Sequence, residues 1–195
     1  EESLEILDIY EALGIHKVWL TPHIMEDIPN TTSHLRQRFE ELRAAYTGPI
    51  TLRLSAENMI DALFQRRLDS GDLLPYGDQA DALLVETSYF TPPMNLYGTL
   101  EQIKAHGYHP VLAHPERYVY MTDDDHRRLR KLGVRFQLNI GSLLGTYGPN
   151  VQKLARELLR DSQYDCAGSD IHTIRCLQRH RHAPLPYKDI VALNK

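Results

Sequence analysis

What most limits the folds open to this chain is a recurring unit: a short apolar run that stops at a histidine or a carboxylate, followed by a stretch with helical spacing. Val18-Trp19-Leu20-Thr21 is strand-like and stops at Pro22-His23, and Thr51-Leu52-Arg53-Leu54 leads through Ser55-Ala56 to Glu57. Ala82-Leu83-Leu84-Val85 is apolar throughout, reads as the most deeply buried strand, and ends in Glu86. Val111-Leu112-Ala113 stops at His114-Pro115, where a residue without a backbone donor must end the ladder. Arg135 to Asn139 is a fifth strand candidate, and Tyr164-Asp165-Cys166-Ala167, leading into Gly168-Ser169-Asp170-Ile171-His172, is the sixth.

Helical patterns fill the intervals. Ser3 to Leu13 carries Leu4, Leu7, Ile9 and Leu13 near helical spacing, with Ser3 as N-cap and Gly14 as stop. Asn30 to Tyr46 places Leu35, Phe39, Leu42 and Tyr46 on one face, with His34 facing solvent. Further helices run through Ile60, Leu63, Phe64 and Leu68, through Leu100 and Ile103, and over Val151 to Leu159. Asp123 to Leu132 reads as an exposed helix, because aspartates at its start and Arg127, Arg128, Arg130 and Lys131 towards its end suit the helix dipole. Gly141-Ser142-Leu143-Leu144-Gly145 lacks the spacing of a phosphate-binding P-loop and reads as a strand-to-helix loop. Strands alternating with helices call for a parallel α/β sheet, and such sheets build their sites at the carboxyl ends of the strands.

Those ends carry His23, Glu57, Glu86, His114, Asp170 and His172, while the amino ends carry nothing comparable. A charge that directly continues a buried run is expensive unless paired or metal-bound, so Glu86 is a better ligand candidate than Glu57. In an extended segment residues two apart share a side, so Asp170 and His172 can converge on one ion. Nitrogen and oxygen donors without a thiolate suit manganese, iron or zinc. Arg117, three residues after His114, can fork onto a carboxylate or a phosphate. The plainer alternative is a strand-end histidine satisfied by a neighbour, with Arg117 in a surface ion pair.

The rest of the sequence narrows the setting. At 195 residues, 42% hydrophobic and 25% charged, the chain fits one globular domain, read as spanning residues 1–195. A net charge of -4 and a pI near 6.2 give no reason to expect nucleic acid. No apolar run reaches membrane-spanning length and no signal peptide opens the chain. Cys166 and Cys176 lack CxxC spacing, so reduced thiols and a cytoplasmic location are expected. His180 and His182, among Arg179 and Arg181, read as a solvated basic patch, and His16, His106, His109 and His126 as residues without a chemical role. Tyr118 and Tyr120 either flank an aryl substrate or simply pack.

Taken in order, Thr21-Pro22-His23, Glu57, Val85-Glu86, His114-Pro115-Glu116-Arg117 and Gly168-Ser169-Asp170-Ile171-His172 resemble the PHP (polymerase and histidinol phosphatase) superfamily. Within it, the chain is most similar to bacterial manganese-dependent protein-tyrosine phosphatases of the capsule and exopolysaccharide type, over about Glu1 to Ala183. The resemblance implies a distorted seven-stranded β/α, TIM-like barrel with a divalent metal cluster of up to three ions. Glu86 would bridge metals, with His23, Glu57, His114, Asp170 and His172 as further ligands. Arg117 would bind substrate phosphate, Arg175 would be a second phosphate contact, and Arg117, Glu86 and Asp170 would carry the catalysis. The family opens with a strand bearing Asp-x-His-x-His, just before a helix like the one that begins this chain. The first residue here is Glu1, so a trimmed copy of a longer protein, lacking the first strand, is expected.

The chemistry that follows is phosphoester hydrolysis. Divalent ions lower the pKa of a bound water from about 15.7 towards ~7, supplying hydroxide to attack phosphorus while cations hold the oxygens. A tyrosine phenolate, whose conjugate acid has a pKa of ~10, leaves more readily than an alkoxide. Phosphotyrosine on a protein is therefore the first expectation, with a tyrosine kinase of polysaccharide export as the natural partner. A small phosphate ester such as histidinol phosphate is the alternative, and a catalytically inactive PHP-like binding domain is the third reading.

Overall fold

Two of the six expected strands are broken in the middle, so the computed structural model, which describes residues 1–180 with Ile190 and Leu193, contains eight strand segments. The first pair is β1 (Lys17–Leu20) and β2 (His23–Ile24), separated by Thr21-Pro22; the second is β3 (Thr51–Leu54) and β4 (Glu57–Met59), separated by Ser55-Ala56. Pro22 was expected to end its strand, yet the strand resumes at His23. A proline lacks the donor but keeps its carbonyl, which here accepts the Glu57 N–H at 3.1 Å, while the Leu20 carbonyl accepts the Ser55 N–H at 2.9 Å. The ladder therefore stays in register across the break.

The remaining strands are β5 (Ala82–Glu86), β6 (His109–Ala113), β7 (Arg135–Asn139) and β8 (Cys166–Gly168). β1 pairs with β3, the other six run in the order β2-β4-β5-β6-β7-β8, and every pairing is parallel. The helices between them are α1 (Glu2–Ala12), α2 (Thr32–Ala45), α3 (Ala62–Ser70), α4 (Leu96–Ala105), α5 (Asp123–Lys131), α6 (Ile140–Leu143), α7 (Pro149–Arg160) and α8 (Ile174–His180), with a 3-10 turn over Pro115–Arg117. Among the described residues, no helix is long and apolar enough to cross a membrane. Of the basic stretch at the end of the sequence, Arg181 and His182 lie outside the described residues.

Local chemistry sets the helix ends. Thr31 caps α2 by accepting the His34 N–H, Asp61 caps α3 by accepting the Phe64 N–H, and Thr122 and Asp125 form a reciprocal capping box on α5. Ser3 is not a cap: α1 starts one residue before it, with no side-chain cap. Three of the five residues of the Gly141–Gly145 stretch are not loop but α6, capped when the Asn139 side chain accepts the Gly141 N–H at 2.8 Å. Nor is α5 wholly exposed, since it buries His126 and Leu129.

β5 is buried along its whole length, as an apolar run covered on both faces must be. Leu83 and Val85 join Leu112, Phe136 and Leu138 against Phe64, Leu68, Leu100, Ile103 and Leu129 from the helices. Ala82 and Leu84 point the other way and pack with Val111 and Ala113. The ends of the six-stranded sheet come together at its carboxyl edge, where His23 on β2 lies 2.9 Å from His172, just after β8. Behind them α1 reaches across, with the Tyr10 hydroxyl 2.7 Å from the Ser169 hydroxyl and the Glu2 carboxylate accepting the Ile174 N–H at 2.8 Å. The result is a parallel sheet curled into a half-barrel. β2 and β8 stand at its two edges rather than pairing within a seven-stranded ring among the described residues.

Candidate metal centre

Four neighbouring strands each deliver one polar side chain to the same mouth: His23 on β2, Glu57 at the start of β4, Glu86 at the end of β5, and His114 just after β6. The His23 Nδ1 lies 2.9 Å from one Glu86 oxygen and 3.5 Å from a Glu57 oxygen. The His114 Nε2 lies 3.2 Å from the other Glu57 oxygen and 3.7 Å from the other Glu86 oxygen. One donor atom each from His23, Glu57 and Glu86 falls within 4.8 Å of the others. The segment after β8 adds Asp170 and His172, whose side chains approach to 3.6 Å.

Glu57, Glu86 and His114 are each at most 5% exposed, so two carboxylates sit side by side out of water and require positive charge between them. The histidines respond. His23 has its pKa raised, chiefly by its contact with Glu86. For His114, burial alone pulls the pKa down, but Glu57 outweighs it and the net shift is upward. A divalent cation held there would compete with protons for the same atoms. Bonding among the residues themselves does not satisfy them: the His23 Nδ1, the Glu86 Oε1 and the His114 Nδ1 are buried, with no hydrogen bond of acceptable geometry among the described residues. The orphaned His23 nitrogen and Glu86 oxygen, which converge with a Glu57 oxygen, fit a divalent metal better than they fit one another.

The backbone is strained at two of the candidate ligands. His114 has φ 36° and Asp170 φ 49°, left-handed values that a non-glycine residue adopts only under constraint. For Asp170 this corrects the extended-segment reading of Asp-x-His. The turn sends the Asp170 carboxylate to Arg117 and Asn139, while His172, with a side chain 57% exposed, meets His23. The Arg117 guanidinium donates to the Asp170 Oδ2 at 3.0 Å, and the Asn139 amide donates to the same oxygen at 2.7 Å. Beneath them Glu116 is buried, its oxygens accepting the Asn139 N–H and the Tyr164 hydroxyl, both at 3.0 Å.

Arg175 lies at the start of α8 and is exposed, and no hydrogen bond or ion pair among the described residues joins it to the cluster. Tyr118 belongs to the core: it is 1% exposed, and its hydroxyl donates to the Ala113 carbonyl and accepts the Thr87 N–H. Sequence reasoning passed over Asn139, although it ends β7 as Glu86 ends β5, and that position was the available signal. It also passed over Tyr89 and Tyr147, which lie in connecting segments with no pattern to mark them.

The family described as capsular polysaccharide synthesis, CpsB/CapC, matches residues 1–184. The tyrosine-protein phosphatase YwqE of Bacillus subtilis is 23% identical over 190 residues, which cover 94% of this chain and 74% of YwqE. The CapC protein of Staphylococcus aureus is 32% identical over 186 residues, covering 89% of this chain and 70% of CapC. The fold matches a chain from the crystal structures of YwqE and of CpsB from Streptococcus pneumoniae, described there as unique metal-dependent tyrosine phosphatases. The TM-score is 0.79 at 20% identity, over 98% of this chain and 83% of that one.

Proposed function

The chain belongs to the CpsB/CapC family of capsular polysaccharide synthesis, and on that premise we propose that it is a metal-dependent protein-tyrosine phosphatase. The observation that carries this reading is the convergence of His23, Glu57 and Glu86 within 4.8 Å, with Arg117 held beside Asp170 at the same mouth. In this reading His23, Glu57, Glu86, His114, Asp170 and His172 hold up to three divalent ions, manganese first among them, with iron or zinc as substitutes. Bound there, such ions supply a nucleophilic water near neutral pH and positive charge for the phosphate. Arg117 binds the phosphate oxygens through its N–H groups, Arg175 is a second contact at the rim, and Asp170 keeps the guanidinium turned inward.

Residues 1–195 form a single domain whose curled sheet is part of a seven-stranded barrel of the PHP type. The protein is cytoplasmic and acts on a phosphotyrosine protein, with a tyrosine kinase of polysaccharide export as the partner. A half-exposed His172 and a mouth open at the strand ends suit a protein substrate better than a small ester such as histidinol phosphate, which needs a closed pocket. The test is phosphate release from a phosphotyrosine peptide and from histidinol phosphate by the purified chain, with manganese or with chelator. Manganese-dependent turnover of the peptide is expected. Preference for histidinol phosphate would favour the small-ester enzyme, and no turnover of either would favour a binding domain.

A further inference from the structure

β6 lies between β5 and β7, and the segments that follow its two neighbours each send a tyrosine back over the arginine that follows β6. The Arg117 guanidinium carbon lies 4.3 Å from the centre of the Tyr89 ring and 3.9 Å from the centre of the Tyr147 ring. Tyr89 also approaches His114, with ring centres 5.7 Å apart, and its carbonyl accepts the Val119 N–H at 2.9 Å, so its position is fixed from two directions. Tyr147 is tied to the site through its hydroxyl, which accepts from the Asn139 amide at 3.3 Å.

An arginine can be held still by its edge or by its face. Hydrogen bonds at the edge consume the N–H donors that an oxyanion needs, whereas aromatic contacts at the face leave them available. We propose that Tyr89 and Tyr147 are positioning residues for substrate phosphate, gripping the Arg117 guanidinium by its faces so that the N–H groups it does not donate to Asp170 stay free for phosphate oxygens. The proposal rests on the phosphatase reading for the identity of the ligand, and on the ring contacts for the role.

The test compares Tyr89→Leu, Tyr147→Leu, Tyr89→Phe and Tyr147→Phe in the full chain. The dissociation constant of inorganic phosphate is measured by calorimetry, KM and kcat are measured for a phosphotyrosine peptide, and a melting curve is recorded for each variant. Each leucine variant is expected to weaken phosphate binding and raise KM by about tenfold with a smaller change in kcat, and the phenylalanine variants to stay within about twofold of the parent. In an Arg117→Gln background the leucine substitutions should have no further effect, which a merely structural role would not reproduce. Tyr147, on a half-exposed turn, carries the comparison if Tyr89→Leu melts early. Leucine variants that bind phosphate as the parent does, phenylalanine variants as weak as leucine ones, or a loss that persists without Arg117 would overturn the clamp. Phosphate binding that depends on the rings without peptide turnover would sink the phosphatase reading and uphold the clamp. Turnover indifferent to the rings would do the reverse.

Discussion

Replacing Glu116 separates what its shape does from what its charge does. The side chain is 2% exposed and its two oxygens accept from the Asn139 N–H and the Tyr164 hydroxyl. In Glu116→Ala both donors are stranded in the core, at ~1–3 kcal/mol each, and a cavity is added, so a loss of about 3–5 kcal/mol is expected. That is a large part of the ~5–15 kcal/mol by which a domain of this kind is stable. In Glu116→Gln the carbonyl keeps the Asn139 N–H and the amide turns to the Tyr164 oxygen, which can accept, so the loss should stay below ~1 kcal/mol. The charge adds a pH signature. Burial raises the Glu116 pKa above its ordinary 4.5, so the stability this group contributes is complete below 4.5 and is lost as pH rises through the folded-state value. Glutamine has no such loss, and Glu116→Gln should therefore gain on the parent as pH is raised from 4 to 7. Urea unfolding in chelator, followed by circular dichroism, reads all three proteins. A glutamine variant as unstable as the alanine one, or a difference from the parent that does not move with pH, would refute the reasoning.

Asn139→Ala removes the amide that holds Asp170, and peptide kcat/KM or metal affinity should fall by about 10–100-fold, as it does for outer-shell partners of ligands; unchanged values in both assays would count against a role for Asn139. Burial lowers the His126 pKa from 6.5, so the unfolded chain takes the proton more readily and stability is lost as pH falls below 6.5 through the folded value. His126→Leu should flatten the dependence of the urea midpoint on pH in that range, and an unaltered slope would contradict this. Burial also pushes the Cys166 thiol up to about 12, so in the native protein a thiol reagent followed by mass mapping should label Cys176 well before Cys166. Equal labelling rates would contradict that assignment.

The parts of the molecule that were legible in the sequence are those where one physical requirement dominates. Ala82 to Val85 reads as a buried strand because four consecutive apolar residues that stop at a charge suit a strand covered on both faces, and it is buried to its last residue. Glu86 stood out for the same reason. His114 stood out because Pro115 announces a strand end. Pro22 conceals the second half of the first strand, which carries His23, because its missing donor predicts a strand end while its remaining carbonyl keeps the ladder going. The Asp170-x-His172 pair was recognised by composition but not by shape, since the left-handed turn at Asp170 is set by Arg117 and Asn139, residues 53 and 31 positions away in sequence. Tyr89, Tyr147 and the buried face of His126 are products of packing between distant segments, and no local pattern encodes them.

The most direct test of the metal centre is divalent metal content by plasma mass spectrometry, after manganese loading and gel filtration, on the parent chain and on Glu86→Gln. Glu86 contacts both His23 and His114, so its charge is the one the cluster can least do without. The parent is expected to retain at least one divalent ion per chain, and Glu86→Gln to retain less while unfolding cooperatively. A parent chain that retains none, or a glutamine variant that retains as much as the parent, would contradict the assignment of this mouth as a metal centre.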